Sequence, residues 1–506
     1  MPPPTPSMTF DFAGIELDRR QGLSRQLFQA LRLRILDGRL SGGTRLPATR
    51  DLAAALAISR NSVLRAYDQL YAEGFTEGRV GDGTYIAQLS PPQLSTKIST
   101  GLSPRLSTGL STNPFREQGD VAPEVIHSTA AGVLAEHHLS PPKTGAPKAF
   151  RVGIPAFDLF PFDVWGKLHA AFWRKPGLHH LGYGDPAGEW RLRELIAVYL
   201  KTSRDLHCSA EQIVITSGAQ QAISLCAQLL LNEGDAVAIE NPGYRAAGHA
   251  FAIAGAKLEG LPVDGDGMHC PAGGGCKLAY VTPSHQYPLG VTMSLARRLE
   301  LLEWAARSQG WIVEDDYDGE YRYSGAPLAP LAALDRHGRV IYVGTFGKVA
   351  FPALRLGYLV LPHHLVDVFS QRRAVDMRHS EVGTQRVMAD FIAGGHFQRH
   401  IRRMRRAALN RRDALLAAWP DQIAGCRPMP KPLAGLHVCV GVDSLERERE
   451  LIAAAASVDV EFSPLSDYWL PDSEIPVDSR AGLVLGFAAV PETDIACALK
   501  RLRQVW

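Results

Sequence analysis

One short run does most to limit what this chain can fold into. It reads Val340-Ile341-Tyr342-Val343, then Gly344-Thr345-Phe346-Gly347-Lys348, then Phe351-Pro352-Ala353-Leu354-Arg355-Leu356-Gly357-Tyr358-Leu359-Val360. The first four residues make an apolar run of the kind that forms a buried strand. A small-residue turn then places one lysine between two apolar segments. Held from water, that lysine loses the solvation of its charged form, and its pKa falls. An amine needs that change if it is to attack an aldehyde. Seven residues on, Arg355 is a permanently charged, forked group suited to phosphate. An aldehyde and a phosphate together point to pyridoxal 5'-phosphate. The competing reading is a surface lysine in a loop, and the rest of the chain has to decide.

From about residue 149, short apolar runs alternate with helical patterns, the mark of an α/β domain with a largely parallel sheet. Ile213-Val214-Ile215-Thr216 reads as a strand, and Ser217-Gly218-Ala219-Gln220-Gln221 opens a helix. Free backbone amides at such a start bind phosphate; a plain cap at Ser217 is the alternative. Val237 to Glu240 is the next strand and leads to Tyr244, which can stack on a flat ring or sit in the core. Leu278 to Val281 follows, and then Trp311-Ile312-Val313-Glu314-Asp315-Asp316-Tyr317-Asp318. Acids at the end of an apolar strand need a partner. The ring N–H of pyridoxal phosphate is one, and an aspartate there makes the ring an electron sink. Tyr317 can reach the ring's phenolic oxygen. The rival is a divalent-metal site built from Glu314, Asp315, Asp316 and Asp318.

The chain has 506 residues, too many for one ordinary domain. Its net charge is only +2, so any nucleic-acid binding must come from local charge. Residues 21–88 hold nine arginines, no lysine and six acids, an excess of three positive charges. There Leu27, Leu31 and Ile35 mark one face of a first helix. Thr49 is expected to cap a second helix carrying Leu52, and Ser59 a third. The third opens with Arg60, Asn61 and Ser62, whose side chains hydrogen-bond base edges or phosphates. Val63, Tyr67 and Leu70 form its inner face. Two strands around Gly81-Asp82-Gly83 complete a helix-turn-helix with a glycine-tipped wing. Phosphate or base contact is expected from Arg50, Arg60 and Arg65, and solvated faces from Arg32, Arg34 and Arg39.

Residues 1–19 read as a disordered tail. Residues 89–148, rich in Ser, Thr and Pro, read as a flexible linker with a short helix near Ala130 to Ala135. No apolar run is long enough to span a bilayer, and no signal peptide is evident. The seven cysteines form no metal pattern and suit a reducing cytoplasm.

The stretch 20–88 resembles the winged helix of GntR-type bacterial regulators. The fitting pieces are Leu46 to Ala53, Ser59 to Val63, Ala66 to Leu70 and Gly81 to Tyr85. Residues 149–506 resemble a fold-type I aminotransferase domain. Together the chain resembles the MocR/GabR subfamily of GntR regulators. The resemblance implies a cytoplasmic transcription regulator that binds a double-stranded DNA operator through Arg50, Ser59, Arg60, Asn61, Ser62, Arg65 and Gly83. It implies pyridoxal phosphate on Lys348, Asp315 at the pyridine nitrogen and Tyr317 at the phenolic oxygen. Gly218, Ala219, Gln220 and Arg355 would hold the phosphate, and Tyr244 would stack. Tyr183 would reach the partner's phosphate in a homodimer. The effector would be an amine, an amino acid or the cofactor itself. The rivals are a working aminotransferase with a DNA-binding module and a regulator that has lost its cofactor.

The chain also departs from this pattern. Gly347 stands where the family has serine. Tyr287-Pro288-Leu289-Gly290 replaces Asn-Pro-Thr-Gly. Val484 takes the place of a carboxylate-binding arginine, with Arg480 as the only near substitute. These departures count against recognition of an α-carboxylate, and transamination is expected to be weak or absent. The seven arginines between Arg399 and Arg412 are read as a solvated helix face with acidic partners.

Overall fold

The computed structural model describes residues 15, 17–19, 22–79, 82–87, 132, 143–323 and 329–506. Most of the tail and linker expected from the sequence lie outside these residues. So do the wing tip at Val80-Gly81 and the short helix near Ala130, apart from Gly132. The chain divides into two compact units, Met1–Gly119 and Asp120–Trp506.

The first unit is built on α1 (Leu23–Leu36), α2 (Thr49–Ala55) and α3 (Arg60–Ala72). Leu27, Leu31 and Ile35 recur at helical spacing and are buried with Leu52, Val63, Tyr67 and Leu70 in one core. Ser59 caps α3, its hydroxyl accepting from the Ser62 N–H at 3.1 Å. Thr49 is not a cap. The cap position of α2 is Ala48, without a side-chain bond, and the Thr49 hydroxyl instead accepts from Arg60 Nε at 3.3 Å. The Tyr67 hydroxyl donates to the Pro47 carbonyl at 3.0 Å and ties α3 to the loop before α2. Strands β1 (Thr76–Arg79) and β2 (Gly83–Ile86) pair antiparallel as the wing.

The second unit carries an eight-stranded mixed sheet. In chain order its strands are β3 (Ile213–Thr216), β4 (Ala236–Asn241), β5 (Lys257–Asp264), β6 (Gly267–Met268), β7 (Cys276–Val281), β8 (Trp311–Asp316), β9 (Val340–Thr345) and β10 (Gly357–Val360). Their spatial order is β3-β10-β9-β8-β7-β4-β5-β6. The middle, from β9 to β5, is parallel, as the pattern predicts. Strand β10 runs antiparallel to both β3 and β9, and β6 antiparallel to β5. Both sheet faces are covered: Val214, Val237, Leu278, Val313 and Ile341 pack on one side, and Ile215, Tyr342 and Tyr358 on the other. This is why the central strands read as continuous apolar runs. A three-stranded antiparallel sheet follows, β11 (His437–Gly441), β12 (Ser463–Pro464) and β13 (Gly482–Gly486), in the order β11-β13-β12.

This topology fixes where chemistry can gather. The carboxyl ends of β3, β4, β7, β8 and β9 share one edge of the sheet, where such folds bind ligands. The reversed β10 brings its amino end, just after Arg355, to that same edge.

Candidate functional site

A cavity of about 240 Å³ opens at this edge. Its lining includes Gly218, Ala219 and Gln220 after β3, Tyr244 after β4, Asp315 and Tyr317 at the end of β8, and Lys348 and Arg355 within the β9–β10 connection. Eight of the nine residues expected to bind a cofactor thus meet in one place. The ninth, Tyr183, does not: it is 87% exposed, stands edge-on to His379 and lies outside the cavity lining.

The lysine sits in a desolvated slot. Its Nζ donates to the Gly153 carbonyl at 2.9 Å. Burial pulls its pKa below the usual lysine value, opposed by Asp318 and Asp315. Gly153 has φ of +79°, a backbone that favours glycine, and a Cβ there would stand 2.8 Å from Nζ and push the lysine aside. Asp315 is buried, and desolvation pushes its carboxyl up to about 7. Its Oδ2 accepts from the Tyr280 hydroxyl at 2.7 Å, while its Oδ1 has no partner among the described residues. A buried carboxylate oxygen left open in a cavity is an acceptor waiting for a donor.

The other end of the cavity is built for an anion. Gly218, with φ of +93°, precedes the helix Ala219–Leu230 and leaves its first amides uncapped by any side chain. Gly218, and not Ser217, holds the cap position. The guanidinium of Arg355 would lie 3.5 Å from a Cβ at Gly218, and it donates to the Ser217 carbonyl at 2.6 Å. Gln220 spends its amide on the Ala246 carbonyl at 2.8 Å, and its oxygen accepts from the Tyr244 hydroxyl at 3.3 Å. It therefore steadies the aromatic wall more than it offers a donor to a ligand. The Gly347 N–H donates to the Thr345 hydroxyl at 3.1 Å, and Thr345 lines the cavity. A hydroxyl is thus present beside the position where the family has serine.

The four-acid metal site does not form. Along β8 successive side chains face opposite ways. Glu314 accepts from the Leu331 and Ala332 amides at 2.8 and 2.9 Å. Asp316 pairs with Arg204 at 2.9 Å and accepts from the Tyr342 hydroxyl at 2.7 Å. Neither lines the cavity. Arg480 is no substitute for the missing arginine, since its Nε donates to the Ile475 carbonyl at 2.9 Å within its own loop. Val484 is fully buried. Two of the seven helix arginines are also not solvated: Arg411 and Arg412 are 2% and 6% exposed. Arg411 pairs with Asp158 and donates to the Ala488 carbonyl, both at 2.7 Å. Sequence reasoning missed Gly153, Tyr280, Thr282, Leu436 and His437 in the lining. Leu436 and His437 lie at the start of β11, and no local motif marks them.

In the first unit, Arg50, Ser59, Arg60, Asn61 and Arg65 are exposed, and Ser62 is half-buried. Arg50, Arg60 and Arg65 form no ion pair with a described residue, whereas Arg32 stands 3.9 Å from Glu73 and Arg39 3.0 Å from Asp37. Arg34 is half-buried, not solvated. Gly83 opens β2 with φ of +127°, and a Cβ there would stand 3.1 Å from Arg45 Nε.

Residues 164–458 match the family described as aminotransferase class I and II, and residues 23–86 match the bacterial regulatory proteins of the gntR family. The probable rhizopine catabolism regulatory protein MocR of Rhizobium meliloti is 35% identical over 97% of this chain and 95% of its own length. The chain belongs to the gntR-family regulators that carry an aminotransferase class I and II domain. Another such regulator, the HTH-type pyridoxine biosynthesis transcriptional regulator PdxR of Corynebacterium glutamicum, is 29% identical over 94% of both chains. Among solved structures, kynurenine aminotransferase of Pyrococcus horikoshii, in complex with PMP and kynurenine, covers 76% of this chain and 95% of its own. That match has a TM-score of 0.63 and 29% identity.

An aminotransferase class I and II fold implies pyridoxal phosphate, and the residues of this family member fit it. The open Oδ1 of Asp315 suits a ring N–H, the uncapped helix start with Arg355 suits a phosphate, and the desolvated Lys348 suits an aldehyde. No described helix is long and apolar enough to cross a membrane.

Proposed function

We propose that this chain is a DNA-binding transcription regulator that holds pyridoxal phosphate on Lys348 and responds to a small amine. In this reading the winged helix grips an operator through Arg50, Arg60, Asn61 and Arg65. Ser59 and Ser62 fix the start of α3, and Gly83 shapes the wing. Asp315 pairs with the ring nitrogen, Arg355 and the amides after Gly218 take the phosphate, Tyr244 stacks on the ring and Tyr317 meets the phenolic oxygen. The cofactor supplies an electrophilic carbonyl that an amine can compete for. The protein's part is to keep Lys348 uncharged enough to exchange and to exclude water around it.

The observation that carries this reading is the meeting of Lys348, Asp315 and Arg355 in one cavity, on a chain aligned along 97% of its length with a regulator. Tyr183, exposed beside Leu178 and Leu181, is proposed to meet a second copy of the chain, making the working form a homodimer. Residues 20–88 and 149–506 are proposed as the two domains. The amine must favour one domain arrangement over another, because only a difference in affinity moves such an equilibrium.

The test is to load the purified protein with pyridoxal phosphate, reduce it with borohydride and map the modified residue. Modification at Lys348 supports the reading. A loaded protein with no near-visible absorbance, or one modified elsewhere, contradicts it.

A further inference from the structure

Behind Tyr317 lies a buried group that the site, as described so far, leaves idle. The Tyr317 hydroxyl stands 3.0 Å from His285 Nδ1, and the same nitrogen stands 3.0 Å from Asp318 Oδ2. His285 and Asp318 are 2% and 1% exposed. Gly435 and Gly290 pack against the ring, and a Cβ at Gly435 would lie 1.9 Å from its Cε1.

The direction of each proton follows from the donors. An ionised carboxylate only accepts, so Nδ1 facing Asp318 carries the ring proton. That N–H lies between Asp318 Oδ2 and the Tyr317 oxygen and is donated to both. Burial, followed by the charge of Asp318, pushes the Tyr317 pKa well above its usual value, so the phenol keeps its own proton. With its oxygen already accepting from His285, Tyr317 has that one proton to give elsewhere. Its remaining open side is the cavity.

We propose that Asp318 and His285 are positioning residues that turn the Tyr317 O–H out of the protein interior and into the cavity, toward the phenolic oxygen of the bound cofactor. This rests on the cofactor reading above. A donor fixed on that oxygen favours its anionic form, so the Lys348-linked cofactor titrates at a lower pH than it would beside an undirected tyrosine. The other ionisable groups facing Tyr317 are Tyr287, Glu240 and Asp315. Lys348 stands near Asp315 and Asp318, and the His437 ring is 4.7 Å from that of His285. Burial holds His437 well below the usual histidine value, so it stays neutral.

His285, Asp318 and His437 also hold ligand atoms within 4.8 Å of one another, as a divalent cation would need. Both contacts of His285 Nδ1 are already at hydrogen-bond length, which favours the proton arrangement.

The experiment is a pH titration of near-visible absorbance, using full-length protein loaded with pyridoxal phosphate. It compares wild type with Asp318→Asn and His285→Ala. In Asp318→Asn the carboxylate no longer holds the ring proton on Nδ1; with that proton on Nε2, Nδ1 accepts from Tyr317 and draws its proton inward. The midpoint is expected to rise by about one pH unit. Loss of a negative charge alone would lower it, so the sign separates the two causes. His285→Ala is expected to raise the midpoint as well; Asp318→Asn, nearly isosteric, carries the test if the alanine variant does not fold. A midpoint for Asp318→Asn at or below wild type overturns the inference. So does a stoichiometric divalent ion in the wild-type protein that His285→Ala removes. A loaded wild type without the absorbance band overturns the cofactor reading, and this inference with it.

Discussion

The two units handle charge in opposite ways. In the winged helix the cations proposed to meet DNA, Arg50, Arg60 and Arg65, are exposed and without acidic partners among the described residues. In the cavity burial moves two of the charges, Lys348 down and Asp315 up to about 7, while Arg355 at the anion end stays exposed. A DNA-reading surface needs permanent charge at the end of a reach, close to a phosphate chain in water. A covalent ligand site needs charge that can be lost, which desolvation supplies at Lys348. The difference also shows in sequence range. The residues proposed to face DNA lie within 34 positions, from Arg50 to Gly83, whereas the cavity draws on residues from Val152 to His437.

The largest effect that would break this contrast is at Lys348. Lys348→Ala is expected to abolish borohydride-fixable cofactor while leaving the DNA-binding unit folded. Retention of covalently bound cofactor would show that another amine does the work. Next is Arg60→Ala, expected to weaken operator binding by about 1–3 kcal/mol if the guanidinium reads a base, with cofactor absorbance untouched. Equal loss on operator and random DNA would reduce Arg60 to a phosphate contact.

The legibility of the chain follows the same division. The helices of the winged unit are spelled by local spacing, so Leu27, Leu31, Ile35, Val63, Tyr67 and Leu70 were all readable as core. In the second unit the parallel strands were readable because both their faces are apolar. What could not be read was whatever depended on which strands become neighbours. The reversal of β10 carries Arg355 to the ligand edge, and no spacing rule states it. His437 reaches the cavity from about 90 residues beyond Lys348 in the chain, and Gly153 from nearly 200 before it. Backbone detail was also hidden: Thr49 sits one residue inside the helix it was expected to cap, and buried Arg411 pairs with Asp158, a contact across about 250 residues. The rival metal site failed on strand alternation, which was readable: Glu314 and Asp316 could not share a face with Asp315.

Two smaller effects sharpen the comparison. Desolvation pushes the carboxyls of Asp315, Glu240 and Glu314 up to about 7 in the folded chain. A raised carboxyl contributes its stability below the ordinary value near 4 and loses it as pH rises through the folded value. The cofactor-free protein should therefore unfold more easily as pH goes from about 5 to about 8. Asp315→Asn should flatten that slope by on the order of 1 kcal/mol per pH unit, as read by denaturant melts at each pH. An unchanged slope would mean Asp315 is already ionised in the cofactor-free fold. Smallest is Ser59→Ala, which removes the cap of α3 at a cost of about 0.5–1 kcal/mol. That loss should appear in the melting of the winged unit and not in the absorbance of the cofactor.

The central claim is that the buried site and the exposed one are coupled through a single amine-responsive equilibrium. The most direct measurement titrates a candidate amine into the loaded, full-length protein while cofactor absorbance and operator binding are followed in the same sample. Both signals are expected to change with one midpoint, with keto product forming slowly or not at all. Rapid product formation across common amino acids, with operator affinity constant throughout, would contradict it.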